Sequence, residues 1–97
     1  MKTVRLLHVA EQEMFDAAAY YESRVAGLGN TFLDKVESAI ADIAESPERW
    51  PIIRPDTRRR LIHRFPYGLL YRVDHDEVVV LAVSHLHRRP TYWIGRA

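Results

Sequence analysis

The sequence contains no cysteine. That excludes a disulfide framework and thiolate zinc sites, and it suits a reducing compartment. No stretch approaches the roughly 20 apolar residues that a membrane-spanning helix needs. The opening Met1-Lys2-Thr3-Val4-Arg5-Leu6-Leu7 runs into His8 and then acids, without the apolar core of a secretory signal. A soluble, cytoplasmic chain with no membrane partner is therefore expected. There is no internal repeat and no low-complexity segment. A chain of 97 residues is expected to form one domain, residues 1–97. A domain of this size buries roughly 60–70% of its unfolded surface, enough for one core without metals or cross-links.

Lysine is absent from the second half. Residues 1–48 carry a net charge of −5, whereas residues 49–97 carry +6, and all ten cations of that second half are arginine. Arginine meets carboxylates and phosphates through two parallel hydrogen bonds, which lysine cannot do. An acidic partner for the second half is the reading that follows. The alternative is a balanced surface whose charges are merely segregated.

The apolar pattern gives the elements. Thr3 to His8 is a β-branched and apolar run and reads as a strand. From about Ala10, Met14, Ala18, Tyr21 and Val25 recur on one helical face, widened by Phe15 and Ala17. Glu11, Glu13 and Asp16 fall in the first turns, where the helix dipole favours negative charge. Gly27 and Gly29 end this helix, and Asn30 is the expected N-cap of a second. Phe32, Val36, Ala39, Ile40 and Ile43 repeat at helical spacing until Pro47 stops the ladder. A short loop between the helices implies an antiparallel hairpin.

Trp50-Pro51 to Pro55-Asp56 reads as a proline-punctuated loop. The period then changes to two. Arg59, Leu61, His63 and Phe65 are expected on one face, and Arg58, Arg60, Ile62 and Arg64 on the other. Pro66-Tyr67-Gly68 is expected to turn, Leu69 to Val73 to form the next strand, and Asp74 to Glu77 a hairpin loop. Val78 to Val83 is almost wholly apolar and reads as a strand buried on both faces. The expected class is α+β, in the order β-α-α-β-β-β. The helical hairpin would pack on one face of a mainly antiparallel sheet, leaving a polar, basic face opposite.

That order of elements has company in short phrases. They are Ala17-Ala18-Ala19-Tyr20-Tyr21, the Phe32 helix, the Pro47 to Trp50-Pro51 loop, Phe65-Pro66-Tyr67 and Tyr71-Arg72-Val73. Ala82-Val83-Ser84-His85, Arg88-Arg89-Pro90 and Tyr92-Trp93 follow. Over nearly its whole length the chain resembles the RelE/ParE toxins of type II toxin–antitoxin (plasmid stabilisation) systems. Phe65-Pro66-Tyr67 and Arg88-Arg89-Pro90 look closer to the ParE-like branch. The resemblance implies a growth-inhibiting cytoplasmic toxin held in a hetero-oligomer by a cognate antitoxin. A flexible acidic antitoxin segment would lie on the basic sheet face. ParE-like members poison DNA gyrase; RelE-like members cut messenger RNA on the ribosome without metal. RelE-like members place lysines near the second strand, and here Arg54 to Arg64 holds only arginines. Arginine stays protonated and is a poor base.

In the ParE-like reading, Arg58, Arg60, Arg64, Arg72, Arg88 and Trp93 bind antitoxin or target and no residue is catalytic. In the RelE-like alternative, His85 or His87 is the acid or base. Arg64, Arg72 and Arg88 then stabilise the transition state, and Tyr92 stacks on or orients the substrate. A non-toxic RNA-binding or regulatory module is the third reading. His85 and His87 alone make a poor metal site, so neither metal nor cofactor is expected. Ordinary packing roles are assigned to His63, as a partly buried histidine, to Tyr20 and Tyr21 on the helix, and to Trp50 as a loop plug. Trp93 is left between covering the sheet edge and meeting a partner.

Overall fold

The computed structural model describes residues 1–89 and 91–96; Pro90 and Ala97, which the sequence reading placed in the tail, lie outside them. The elements are β1 (Thr3–Leu6), α1 (His8–Arg24), α2 (Leu28–Glu45), β2 (Ile52–Arg54), β3 (Thr57–Leu61), β4 (Tyr67–Val73) and β5 (Glu77–His85). The five strands form one sheet in the order β1-β5-β4-β3-β2. β1 runs parallel to β5, and every other pairing is antiparallel. The α+β class and the mainly antiparallel sheet are as expected.

β2 is an addition to that expectation. The segment read as a loop pairs with β3 as a three-residue edge strand. Pro51 and Pro55 flank it and keep it short, a common protection for an exposed edge. Pro55 and Asp56 close the β2–β3 turn, with Asp56 in the left-handed region at φ 64°.

The helix junction also differs. α2 begins at Leu28, so Asn30 lies exposed in its first turn and is not the cap. Gly27 holds the cap position at φ 87°, and the capping carboxylate comes from α1. Glu22 accepts from the Gly27 N–H at 2.9 Å and from the Gly29 N–H at 3.0 Å. A carboxylate at these free donors satisfies them and meets the positive end of the dipole. Gly29 has to be glycine, because a Cβ there would lie 2.6 Å from the Ala18 carbonyl oxygen. Val25, expected on the apolar stripe, is exposed because α1 ends at Arg24 and Val25 is extended. Phe15, expected to widen that stripe, is half-exposed, whereas Ala17 is buried.

The main core lies between the hairpin and the sheet. Phe32, Val36, Ala39 and Ile43 of α2 meet Ile62, Leu69, Tyr71, Val78 and Val80. The Tyr71 hydroxyl, buried with its ring, donates to the Pro47 carbonyl at 2.7 Å. β5 is buried on both faces, as its apolar run implied. Two other expectations fail at the β3–β4 turn. β4 starts at Tyr67, so Pro66-Tyr67-Gly68 is not the turn; residues 62–66 reverse the chain, with Arg64 left-handed at φ 74°. His63 sits on that turn and is exposed, not partly buried, because β3 has already ended at Leu61. Tyr21 packs as expected, in an aromatic cluster with Phe32, Phe65 and Tyr67. Tyr20 is half-exposed and meets the Tyr21 edge and the Arg24 guanidinium.

Candidate partner-binding face

The face of the sheet away from the helices is not simply polar. Its centre is apolar: Leu70, Val79, Leu81 and Ala82 pack against Trp93. Leu81 and Ala82 both reach this side because the β4–β5 register shifts between Leu70 and Tyr71. Trp93 is 4% exposed and comes from a turn spanning residues 91–95. It covers the face of the sheet. Burying a side chain of this kind contributes roughly 1.5–3 kcal/mol.

Arginines surround this patch. A small cavity of about 60 Å³ beside Trp93 is lined by Arg59 and Arg88, with Gly68, Leu70 and Ser84 at its floor. On the other side of Trp93 a groove of about 420 Å³ is lined by Arg54, Arg72 and Arg96, with Thr57 and Leu81. Arg54 and Arg59 make no ion pair among the described residues. Arg72 grips Asp74, Nε to Oδ1 at 2.7 Å and Nη2 to Oδ2 at 3.1 Å. That hydrogen bonding raises the guanidinium pKa and lowers that of the Asp74 carboxyl.

The arginine cluster expected from the sequence is not assembled. Arg58 and Arg60 point toward the helices, in register with Tyr71 and Leu69. Arg58 donates to the carbonyls of Glu48 at 3.0 Å and Trp50 at 2.8 Å. Arg60 pairs with Asp42 at 2.7 Å and stacks on the Trp50 ring, which packs against the core as a plug. The sheet alternation is set by Leu69, Tyr71 and Ile62, which must face the hairpin, and the arginines in phase with them follow. Arg72 is on the opposite face, and Arg64 is exposed on the β3–β4 turn.

The tail residues do converge. The His85 and His87 rings are 5.3 Å apart, and the Tyr67 ring lies 5.1 Å from His85. His87, beyond the end of β5, donates its backbone N–H to His85 Nδ1 at 3.0 Å. That contact leaves Nε2 as the protonated nitrogen of a neutral ring. The Arg88 guanidinium stands 3.8 Å from the Tyr92 ring centroid. Burial raises the pKa of the Tyr92 phenol. Arg72 lies beside Val79, six residues along β5 from His85, or roughly 20 Å at the rise of a strand. It cannot act on the same phosphate as the histidines.

Three residues on the open face escaped the sequence reading. Arg54 lies in the unforeseen β2. Arg59 lies in phase with Leu70, a pairing visible once the core phase of β4 is fixed. Arg96 pairs with Glu13, 83 positions away, and nothing local signals it.

A helical hairpin on a five-stranded, mainly antiparallel sheet, with arginines on the outer face, defines the α+β scaffold. The model of the ParE toxins of type II toxin–antitoxin systems matches residues 4–90, and the chain belongs to that family. A search of curated proteins finds no match. Among solved structures, the chain is similar to one from the chromosomal ParDE system of P. aeruginosa, with a TM-score of 0.78. Identity there is 13%, over 88% of this chain and 96% of that one. It is also similar to a chain of the toxin–antitoxin complex RelBE2 from Mycobacterium tuberculosis. There the TM-score is 0.57 and the identity 29%, over 87% of this chain and 90% of that one. The protein is thus a toxin of a type II toxin–antitoxin system. Among the described residues, no helix is long and apolar enough to cross a membrane.

Proposed function

We propose that this toxin arrests growth by binding and inhibiting DNA gyrase in the cytoplasm, without a catalytic residue of its own. A cognate antitoxin neutralises it by laying an acidic segment along the open sheet face, giving a hetero-oligomer. The observation that carries this reading is the arginine-lined groove on either side of Trp93. Arg54 and Arg59, with Arg64 on the β3–β4 turn, are the contacts for partner carboxylates; Arg72, Arg88 and Arg96 reach the same face while paired with Asp74 and Glu13, and Trp93 with Leu81 supplies the apolar floor. Charge-assisted pairs with arginine are strong enough to offset the ordering of a flexible acidic segment. Arg58 and Arg60, engaged within the chain, are assigned to the β2–β3 and α2 contacts instead.

A second reading, a ribosome-dependent endoribonuclease, has one specific observation in its favour: His85, His87, Arg88 and Tyr92 share the end of β5. Brief induction in a bacterial host, with sequencing of messenger RNA 5′ ends and a gyrase supercoiling assay, separates the readings. Intact messages with lost supercoiling activity support gyrase. New 5′ ends at defined codon positions, abolished by His85→Ala with His87→Ala, overturn it in favour of cleavage. Unimpaired growth with folded protein overturns both and leaves a non-toxic regulatory module.

A further inference from the structure

β1 is shorter than β5, and the structure uses that difference. The last residue of β1, Leu6, pairs with Val80, and the Leu7 N–H reaches the Val80 carbonyl at 3.1 Å. Beyond this point β5 has no strand on the side where β1 lay, although β4 still flanks the other, so the Leu81 carbonyl and the Val83 N–H need other partners. Two side chains supply them. Glu13 Oε1 of α1 accepts from the Val83 N–H at 3.1 Å, and Arg96 Nη1 of the tail donates to the Leu81 carbonyl at 3.1 Å. The same two side chains grip each other, at 3.0 Å between Nη1 and Oε1 and 3.2 Å between Nη2 and Oε2. Both are largely buried, at 13% and 18% side-chain exposure. Arg88 adds a looser contact to Glu13 Oε2 at 3.7 Å. The Tyr92 ring meets both guanidiniums, its centroid 3.8 Å from that of Arg88 and 4.9 Å from that of Arg96.

We propose that Glu13 is a positioning residue, the catch of a clasp by which α1 holds the C-terminal turn over the open sheet face. Through Arg96 and Arg88 it sets where Tyr92 and Trp93 stand. Trp93 is the turn's apolar anchor on the sheet, and Glu13 is its tie to the helical layer. A mostly buried ion pair of this kind responds sharply when one member is removed, because the other is left desolvated and unpaired. With the clasp closed, Trp93 is seated on Leu70 and Leu81, and breaking the Glu13–Arg96 pair should loosen the turn from the sheet. That the closed form presents the arginines and Trp93 to a partner rests on the open-face reading above.

The test uses the full chain with Trp50→Phe, which leaves Trp93 as the sole tryptophan. Glu13→Gln keeps the acceptor for the Val83 N–H and removes the charge. The expected result is a red-shifted Trp93 emission and several-fold greater quenching by acrylamide, with the far-ultraviolet circular dichroism retained. Arg96→Gln should give the same change, and the double variant no more than either single one. Unchanged quenching in folded Glu13→Gln overturns the clasp. Should Glu13→Gln fail to fold, Arg96→Lys takes its place: it keeps the charge and loses the bidentate grip. Intermediate quenching supports the clasp, and wild-type quenching overturns it. Growth arrest separates the clasp from the face it serves. Arrest lost in Arg54→Glu/Arg59→Glu but intact in Glu13→Gln overturns the positioning role alone. Arrest intact in both, with quenching raised in Glu13→Gln, overturns the open-face reading and leaves the clasp standing. Arrest lost in both supports the two together.

Discussion

On one side of the sheet, Leu69, Tyr71, Val78, Val80 and Val83 meet Phe32, Val36 and Ile43 of a full helical hairpin. On the other, Leu70, Val79, Leu81 and Ala82 meet Trp93 from one turn of chain, with Leu7 and Tyr92 beside it. The strands are the same; only the phase differs. The helix side is where burial is complete and where even arginines are absorbed, Arg58 by two carbonyls and Arg60 by Asp42 and Trp50. The turn side leaves Arg54 and Arg59 without an ion pair among the described residues. Stability is concentrated on one face and unmet charge on the other. A stable scaffold can thus carry an open face on which Arg54 and Arg59 stay without an ion pair among the described residues.

Substitutions on the two sides should separate in size. Phe32→Ala empties the centre of the closed side, and a loss of about 3–5 kcal/mol in denaturant unfolding is expected. Trp93→Ala should cost less, because a turn at the surface can relax into the space left behind. Equal losses for the two would break the comparison. Gly29→Ala tests the helical junction, where the added carbon meets the Ala18 carbonyl. It should destabilise by about 1–3 kcal/mol while leaving partner binding by the folded fraction unchanged.

pH sharpens the contrast further. Burial raises the phenol pKa of Tyr21, Tyr67 and Tyr71 from the ordinary 10.0. Below that value the phenols are neutral in both states. Above it the unfolded chain ionises and the folded one resists, so stability falls as pH rises beyond about 10. Tyr71→Phe should flatten part of that alkaline loss in a pH series of melting curves. At the acid end, the lowered carboxyls of Asp74 and Glu77 hold their full contribution above the ordinary carboxylate range. They lose it as pH falls through their folded values. Both pairs are at the surface, and Asp74→Asn should change the acid limb least of all these variants.

Much of this architecture is legible in the chain. The helix periodicities, the stop at Pro47 and the doubly buried β5 follow from spacing alone. The failures have physical causes. Asn30 is a good local cap, yet Glu22, one helix earlier, reaches the free N–H groups first. Period two shows that Arg58 and Arg60 share a face, but not which face. That is decided by Leu69 and Tyr71 across the ladder, and by Asp42 and Trp50 as arginine partners. Glu13 reads as an ordinary dipole-favoured acid in a first turn. Its bond to Arg96 exists only because β1 stops short of β5, which is a fact of the sheet and not of either segment.

Arg54 and Arg59, exposed beside Trp93 and without an ion pair among the described residues, are the arginines proposed to serve a partner and not the fold. Arg54→Glu with Arg59→Glu tests that role most directly, in one pairing of measurements: melting temperature of the purified chain and growth on induction. A melting temperature close to wild type, as for exposed substitutions worth within about 0.5 kcal/mol, with growth arrest abolished, is the expected result. Full arrest by an equally stable variant would contradict the account and move the working surface elsewhere on the molecule.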